Sequence, residues 1–183
     1  TSLLCAMALS ATTALAGEVR FGKQGHAYNP VWRLDGKHIA FEVNTYSGDD
    51  GIDLYWSKVN GAVAANATRI ALPGNAGPYG GKQVVANPTW HPQGIAVFEG
   101  SNQGGQYRLY FAQPGGAAAS EMLASNIAAG DLSFPMVSPD GNVLAFVSDQ
   151  TGDGDIYTWN RSTNQVKQVT STPSGEMYPQ FKA

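Results

Sequence analysis

Cysteine is nearly absent from this chain: one residue, Cys5, in 183. It lies inside an apolar N-terminal stretch, so a mature chain without that stretch has no disulfide, thiolate metal site or cysteine nucleophile. Charge is scarce too, at 14% Asp, Glu, Lys and Arg with a formal net charge of −3. No basic run occurs, which removes the electrostatic footprint of a nucleic-acid binder. The histidines His26, His38 and His91 show neither i, i+4 nor His-x-His spacing, so they form no metal motif and read as surface or turn residues. No Gly-x-Ser-x-Gly elbow is present to raise a serine nucleophile. Gly81-Lys82 lacks both the correctly spaced first Gly and the following Ser or Thr of a P-loop.

Long hydrophobic runs are missing as well. The apolar stretch from Leu3 to Leu9 is too short to span a bilayer. Residues 1–16 carry no charge and end Ala14-Leu15-Ala16 before Gly17, with small residues at the two positions that signal peptidase reads. They are expected to be a bacterial secretory signal, which makes the mature protein periplasmic or secreted. No initiator Met or basic segment precedes them, so the sequence reads as clipped at its start.

What the chain has in quantity is glycine and proline, 22 and 10 residues, beside 43% hydrophobic residues. Many tight turns around enough apolar material for a core favour an all-β domain. Between them runs a repeat. Asn29-Pro30-Val31-Trp32-Arg33-Leu34-Asp35-Gly36 precedes Ile39-Ala40-Phe41 and then Asp53-Leu54-Tyr55. Asn87-Pro88-Thr89-Trp90-His91-Pro92-Gln93-Gly94 precedes Ile95-Ala96-Val97-Phe98 and then Arg108-Leu109-Tyr110. Phe134-Pro135-Met136-Val137-Ser138-Pro139-Asp140-Gly141 precedes Val143-Leu144-Ala145-Phe146-Val147, then Asp155-Ile156-Tyr157, and closes on Val166 to Thr170. Tyr178-Pro179-Gln180-Phe181 opens a further copy.

The anchoring prolines at 30, 88, 135 and 179 are 58, 47 and 44 residues apart. A period near 45 holding four short strands is that of a β-propeller blade. Blades are expected over about 29–72, 87–123 and 134–170, with a fourth copy beginning at 178, and a glycine-rich insertion at 73–86 lengthens the first step. Pro139-Asp140-Gly141 is turn chemistry, so Asp35 and Asp140 read as turn residues. Val143 to Val147 reads as a strand buried on both faces. Val19 and Phe21 form a candidate ring-closing strand. The segment 117–123 has helical composition, but it occupies the fourth-strand slot of its repeat and is expected to be a strand. Three blades do not close a ring. The chain is therefore read as part of a longer propeller, with closure by self-association as the other possibility.

The copy Val137-Ser138-Pro139-Asp140-Gly141, Leu144-Ala145-Phe146, Asp155-Ile156-Tyr157 and Val169-Thr170 resembles the WD-like repeat of the TolB family. The resemblance covers residues 29–183. It implies a six-bladed propeller behind a small α/β domain, working in the periplasm with the lipoprotein Pal and the Tol proteins. Only about a dozen residues separate the signal from the first blade, which leaves that α/β domain no room. The same repeat occurs in the propellers of prolyl-oligopeptidase-like peptidases.

In four-stranded blades the loops between strands two and three share one end of the barrel with the blade-to-blade connections. That face would carry Asp49, Asp50, Tyr79, Lys82, Asn102, Gln103, Asp149, Asp153 and Glu176, and it is the expected partner-binding surface. No catalytic residue, cofactor site or metal site is assigned. Asp149, Asp153 and Asp155 crowd one loop as calcium ligands do, but without the distal Glu or flanking helices of an EF-hand. Asp155 shares its slot with Asp53 and reads first as a turn cap on backbone N–H groups. The aromatics Trp32, Trp56, Trp90, Trp159, Tyr55, Tyr110 and Tyr157 read as inter-blade core. The functional expectation is a non-catalytic scaffold that binds a protein or envelope component. The alternative is the propeller of a secreted hydrolase whose catalytic domain lies outside these residues.

Overall fold

A computed structural model describes residues 26–44, 51–60, 63–73, 83–102, 105–116, 118–122 and 130–182. The expected signal segment, the candidate closing strand at Val19 and Phe21, and most of the glycine-rich insertion lie outside them. Strands β1 (His26–Trp32), β2 (His38–Asn44), β3 (Ile52–Asn60) and β4 (Val63–Ile70) form one antiparallel meander. A second comprises β5 (Gln83–Trp90), β6 (Ala96–Asn102), β7 (Arg108–Ala112) and β8 (Ser120–Met122), and a third β9 (Leu132–Val137), β10 (Val143–Ser148), β11 (Asp155–Asn160) and β12 (Gln165–Gln168). A single parallel bridge, Ile52 to Val84, joins the first two meanders at one end. The described residues contain no helix, and of the segment 117–123 the three residues Ser120–Met122 form strand β8.

Each blade carries the same aromatic pair, which in blades two and three faces the blade before it. Phe41 stacks on Tyr55, Phe98 on Tyr110 and Phe146 on Tyr157, with ring centroids 6.1, 6.2 and 6.0 Å apart. In every case the two residues are direct cross-strand partners. One core cluster fills the joint between the first two blades with Leu54, Leu72, Val85, Trp90 and Phe98. A second joins blades two and three through Val97, Leu109, Leu132, Leu144 and Phe146. Trp90, Tyr110 and Tyr157 are therefore buried core residues, while Trp32, Tyr55, Trp56 and Trp159 are half-buried, and the Trp90 indole also donates across the joint to the Val31 carbonyl at 3.0 Å. Strand β10 is buried on both faces from Leu144 to Ser148.

The residue before each anchoring proline has left-handed backbone: Asn29 at φ 49°, Asn87 at 51°, Phe134 at 50° and Tyr178 at 57°. The strand register slips at the first three sites, so each innermost strand carries a bulge there. Tyr178 repeats the conformation and packs on Phe134 with centroids 4.5 Å apart, while Pro179 is buried. The fourth copy begins in the same way as the others.

The bulges are held by carboxylates. Glu42 accepts the Asn29 side-chain amide at 3.0 Å and the Asn87 backbone N–H of the next blade at 2.7 Å. Glu99 accepts the Phe134 backbone N–H one blade further on, at 2.6 Å. Both glutamates are buried. In blade three the equivalent position, immediately after Phe146, is Val147.

The turns between first and second strands follow expectation. Asp35 Oδ1 accepts the N–H groups of Lys37 and His38, and Asp140 Oδ1 accepts that of Asn142 at 3.0 Å. Blade two has Gln93 in that slot, and there His91 Nδ1 accepts the Gln93 N–H instead. The fourth strand of blade three ends at Gln168, one residue short of Val169. Val169 still donates its N–H to Ile156 O at 2.7 Å, but its side chain is exposed.

Candidate functional site

Loop length fixes the geometry of the upper rim. Strands two and three of blade three are joined by 149–154, and this loop meets both the segment entering the blade at 130–131 and the segment leaving it at 172–176. The Asp149 carboxylate accepts the Asp131 N–H at 2.6 Å, and the Asp149 N–H returns to Asp131 O at 3.3 Å. Asp131 Oδ1 in turn accepts the Tyr107 N–H of blade two at 2.9 Å. On the other side the Glu176 N–H donates to Gly154 O at 2.6 Å. Gly130 adopts φ 120°, and a Cβ there would lie 2.7 Å from Asp149 Oδ1 and 2.9 Å from the Gln150 nitrogen. Only glycine lets the two segments approach this closely.

Of the nine residues expected on this face, Asp149, Asp153 and Glu176 are brought together on the rim of blade three. Asp153 is exposed at the loop tip. Glu176 accepts the Thr172 hydroxyl through Oε1, while its Oε2 is buried with no hydrogen-bond partner among the described residues. Asn102 is the last residue of β6, where it pairs with Gln83. Asp49, Asp50, Tyr79, Lys82 and Gln103 lie outside the described residues. Asp131 belongs to the rim and was not anticipated; its signal was an Asp after Gly at the mouth of a repeat.

Among the described residues Asp53 and Asp155 bond side chains rather than capping backbone N–H groups as expected. Asp53 Oδ1 accepts Arg69 Nε at 2.9 Å and Gln83 Nε2 at 2.7 Å, whereas Asp155 Oδ2 accepts Thr151 Oγ1 at 2.6 Å and Gln168 Nε2 at 3.0 Å. The carboxylate at the start of the third strand, half-buried in Asp53 and buried in Asp155, takes a side chain from the fourth strand, Arg69 in one blade and Gln168 in the other. Blade two reverses the signs, with Arg108 4.0 Å from Glu121. Since Asp149 and Asp155 already serve protein donors, the loop is not arranged as a calcium cage. Among the described residues no group of three or more His, Cys, Asp or Glu is placed to hold a metal.

Burial pushes the carboxyls of Glu42 and Glu99 above the usual range, against the hydrogen bonds from Asn29, Asn87 and Phe134 that favour the charged form. Glu42 adds like-charge repulsion to Glu99. Asp140 is held down at about 2 by the Ser138 hydroxyl and the Asn142 N–H. The signal for the two glutamates was present in the sequence: Phe41-Glu42 and Phe98-Glu99 end the apolar second strand of two repeats.

No protein-family model matches the chain, and no curated protein does. Among solved structures it is similar to TolB from Acinetobacter baumannii, with a TM-score of 0.58 at 20% identity over 84% of this chain and 34% of that one. It is similar also to a puromycin-hydrolyzing peptidase from Mycobacterium tuberculosis, with a TM-score of 0.68 at 16% identity over 88% of this chain and 24% of that one. An oligogalacturonate lyase in complex with manganese superposes with a TM-score of 0.56 at 14% identity, over 79% of this chain and 36% of that one. The chain thus spans about a quarter to a third of these proteins. The likeness is one of fold: a TolB-like β-propeller. Among the described residues no helix is long and apolar enough to cross a membrane.

Proposed function

We propose that this TolB-like propeller is a non-catalytic scaffold, exported to the periplasm or beyond, whose upper rim binds a protein or another envelope component. The observation behind this reading is the stitching of the rim. Segments 130–131, 149–154 and 172–176 are tied to one another through Asp149, Asp131 and the Glu176 N–H, so the exposed Asp153 stands on a fixed base. A surface ordered before binding loses little entropy when a partner docks. Its carboxylates suit a partner rich in Lys, Arg or amide donors.

A photo-crosslinking residue at position 153 tests this in cells that export the full protein. A discrete adduct from 153 and none from position 140, at the opposite end of the blades, supports the reading. Equal labelling at the two ends, or none, overturns it. The likeness to the M. tuberculosis peptidase favours a second reading, a propeller that screens access to a hydrolase domain. Puromycin hydrolysis by the full-length protein, abolished by a serine-directed inhibitor, would select it.

A further inference from the structure

A cleft of about 190 Å³ opens between blades two and three at the end opposite the rim. Its walls are apolar: Phe111 and Met122 from blade two, Val137, Val143, Leu144 and Trp159 from blade three. Phe111 remains 38% exposed there, although it is a large apolar residue in a strand. For scale, an apolar cavity of roughly 150 Å³ accommodates benzene. The space therefore suits one aromatic ring with a short substituent.

The polar side chains at the mouth are His91 and Arg161. His91 Nδ1 accepts the Gln93 N–H at 3.1 Å, so the ring proton resides on Nε2. That Nε2–H points at Gly141 O, 3.2 Å away. Arg161 Nη1 lies 3.4 Å from the same Nε2, with donor facing donor and no lone pair between them. No carboxylate pairs with Arg161 among the described residues. The neighbouring Asp140 has its oxygens occupied by Ser138 and Asn142. The His91 N–H is thus taken by Gly141 O, and the Arg161 guanidinium, a permanent cation at the mouth, is the group that calls for an anionic oxygen.

The geometry points to a binding site for a small aromatic monocarboxylate, its ring in the cleft and its carboxylate on Arg161 beside His91. This site is separate from the rim, and its occupancy does not depend on the partner proposed above. The test is calorimetric titration of the full chain with phenylpropionate and with its uncharged analogue phenylpropanol, followed in parallel by methyl NMR.

The acid should bind and shift the methyl signals of Val137, Val143 and Leu144. Arg161→Gln, a change at an exposed side chain, should weaken the acid about tenfold while leaving the alcohol unchanged. Val137→Phe, which fills the cleft, should weaken both. The proposal is overturned if acid and alcohol bind alike to the wild type, if Arg161→Gln leaves the acid unaffected, or if the shifted signals lie elsewhere. Absence of any binding overturns it equally. Melting curves of both variants establish that they are folded.

Discussion

The Glu42 carboxylate of blade one accepts the backbone N–H of Asn87 in blade two at 2.7 Å. Asn87 stands at the left-handed bulge before Pro88, where the strand register slips and the ordinary ladder partner is lost. The N–H group there is half-buried and is satisfied by another acceptor. Glu99 supplies the same answer to Phe134, so the two joints are fastened by one device used twice.

Removing that acceptor leaves an orphaned donor in the joint. Glu42→Ala should destabilise the protein by about 2–3 kcal/mol, and Glu42→Gln, whose amide oxygen can still accept, by less than about 1 kcal/mol. Urea unfolding of the three proteins measures both. A cost for Ala no larger than for Gln would mean that the joint does not depend on this bond.

The same glutamates set the pH dependence above pH 4.5. Their folded pKa values are raised, so the folded state holds protons that the unfolded state releases. The stability they contribute is present below pH 4.5 and lost as pH rises through their folded values. Melting temperature should therefore climb as pH falls from 7 towards 4.5, and Glu99→Gln should flatten that slope. Asp140 works in the opposite direction. With its pKa lowered from 3.8 to about 2, it contributes stability above 3.8 that is lost as pH falls towards 2. The curve should turn over between the two windows.

Gly130→Ala should cost at least about 2 kcal/mol, because φ 120° is strained for alanine and the new methyl meets the Gln150 backbone. The damage should be local. Hydrogen exchange at Asp131 and Gly152 should accelerate more than at Phe146, and uniform acceleration would show that the rim is not a separate unit.

Calcium should leave the melting temperature unchanged, and so should a chelator, since Asp149 and Asp155 already accept protein hydrogen bonds. A rise of several degrees with millimolar calcium would mean that the loop rearranges to bind it.

The repeat made the blades legible, because four-strand units recur with their turns, aromatics and prolines in step. Ser120–Met122, at the end of an alanine-rich segment, took the strand that its slot requires. The bulges were not legible: a residue before proline avoids the helical region and is normally extended, and nothing in Asn-Pro or Phe-Pro announces a left-handed turn. Glu42 and Glu99 were visible as a repeated pair, but a Glu closing a buried strand declares its purpose only when the neighbouring blade is in place. Asp155 misled for a related reason. Its sequence neighbours are turn residues, whereas its partners Gln168 and Thr170 come from the far end of the next hairpin.

The charge reversal between blades has a consequence for how the chain finds its pairing. Asp53 faces Arg69 in blade one, and Arg108 faces Glu121 in blade two, at the same register. Near-identical repeats are prone to exchange strands during folding. If the fourth strand of blade two were offered to the third strand of blade one, Glu121 would meet Asp53; the reverse exchange would set Arg69 against Arg108. Like charges opposed across a ladder are repelled. The opposite signs thus disfavour exchange of the outer strands of blades one and two.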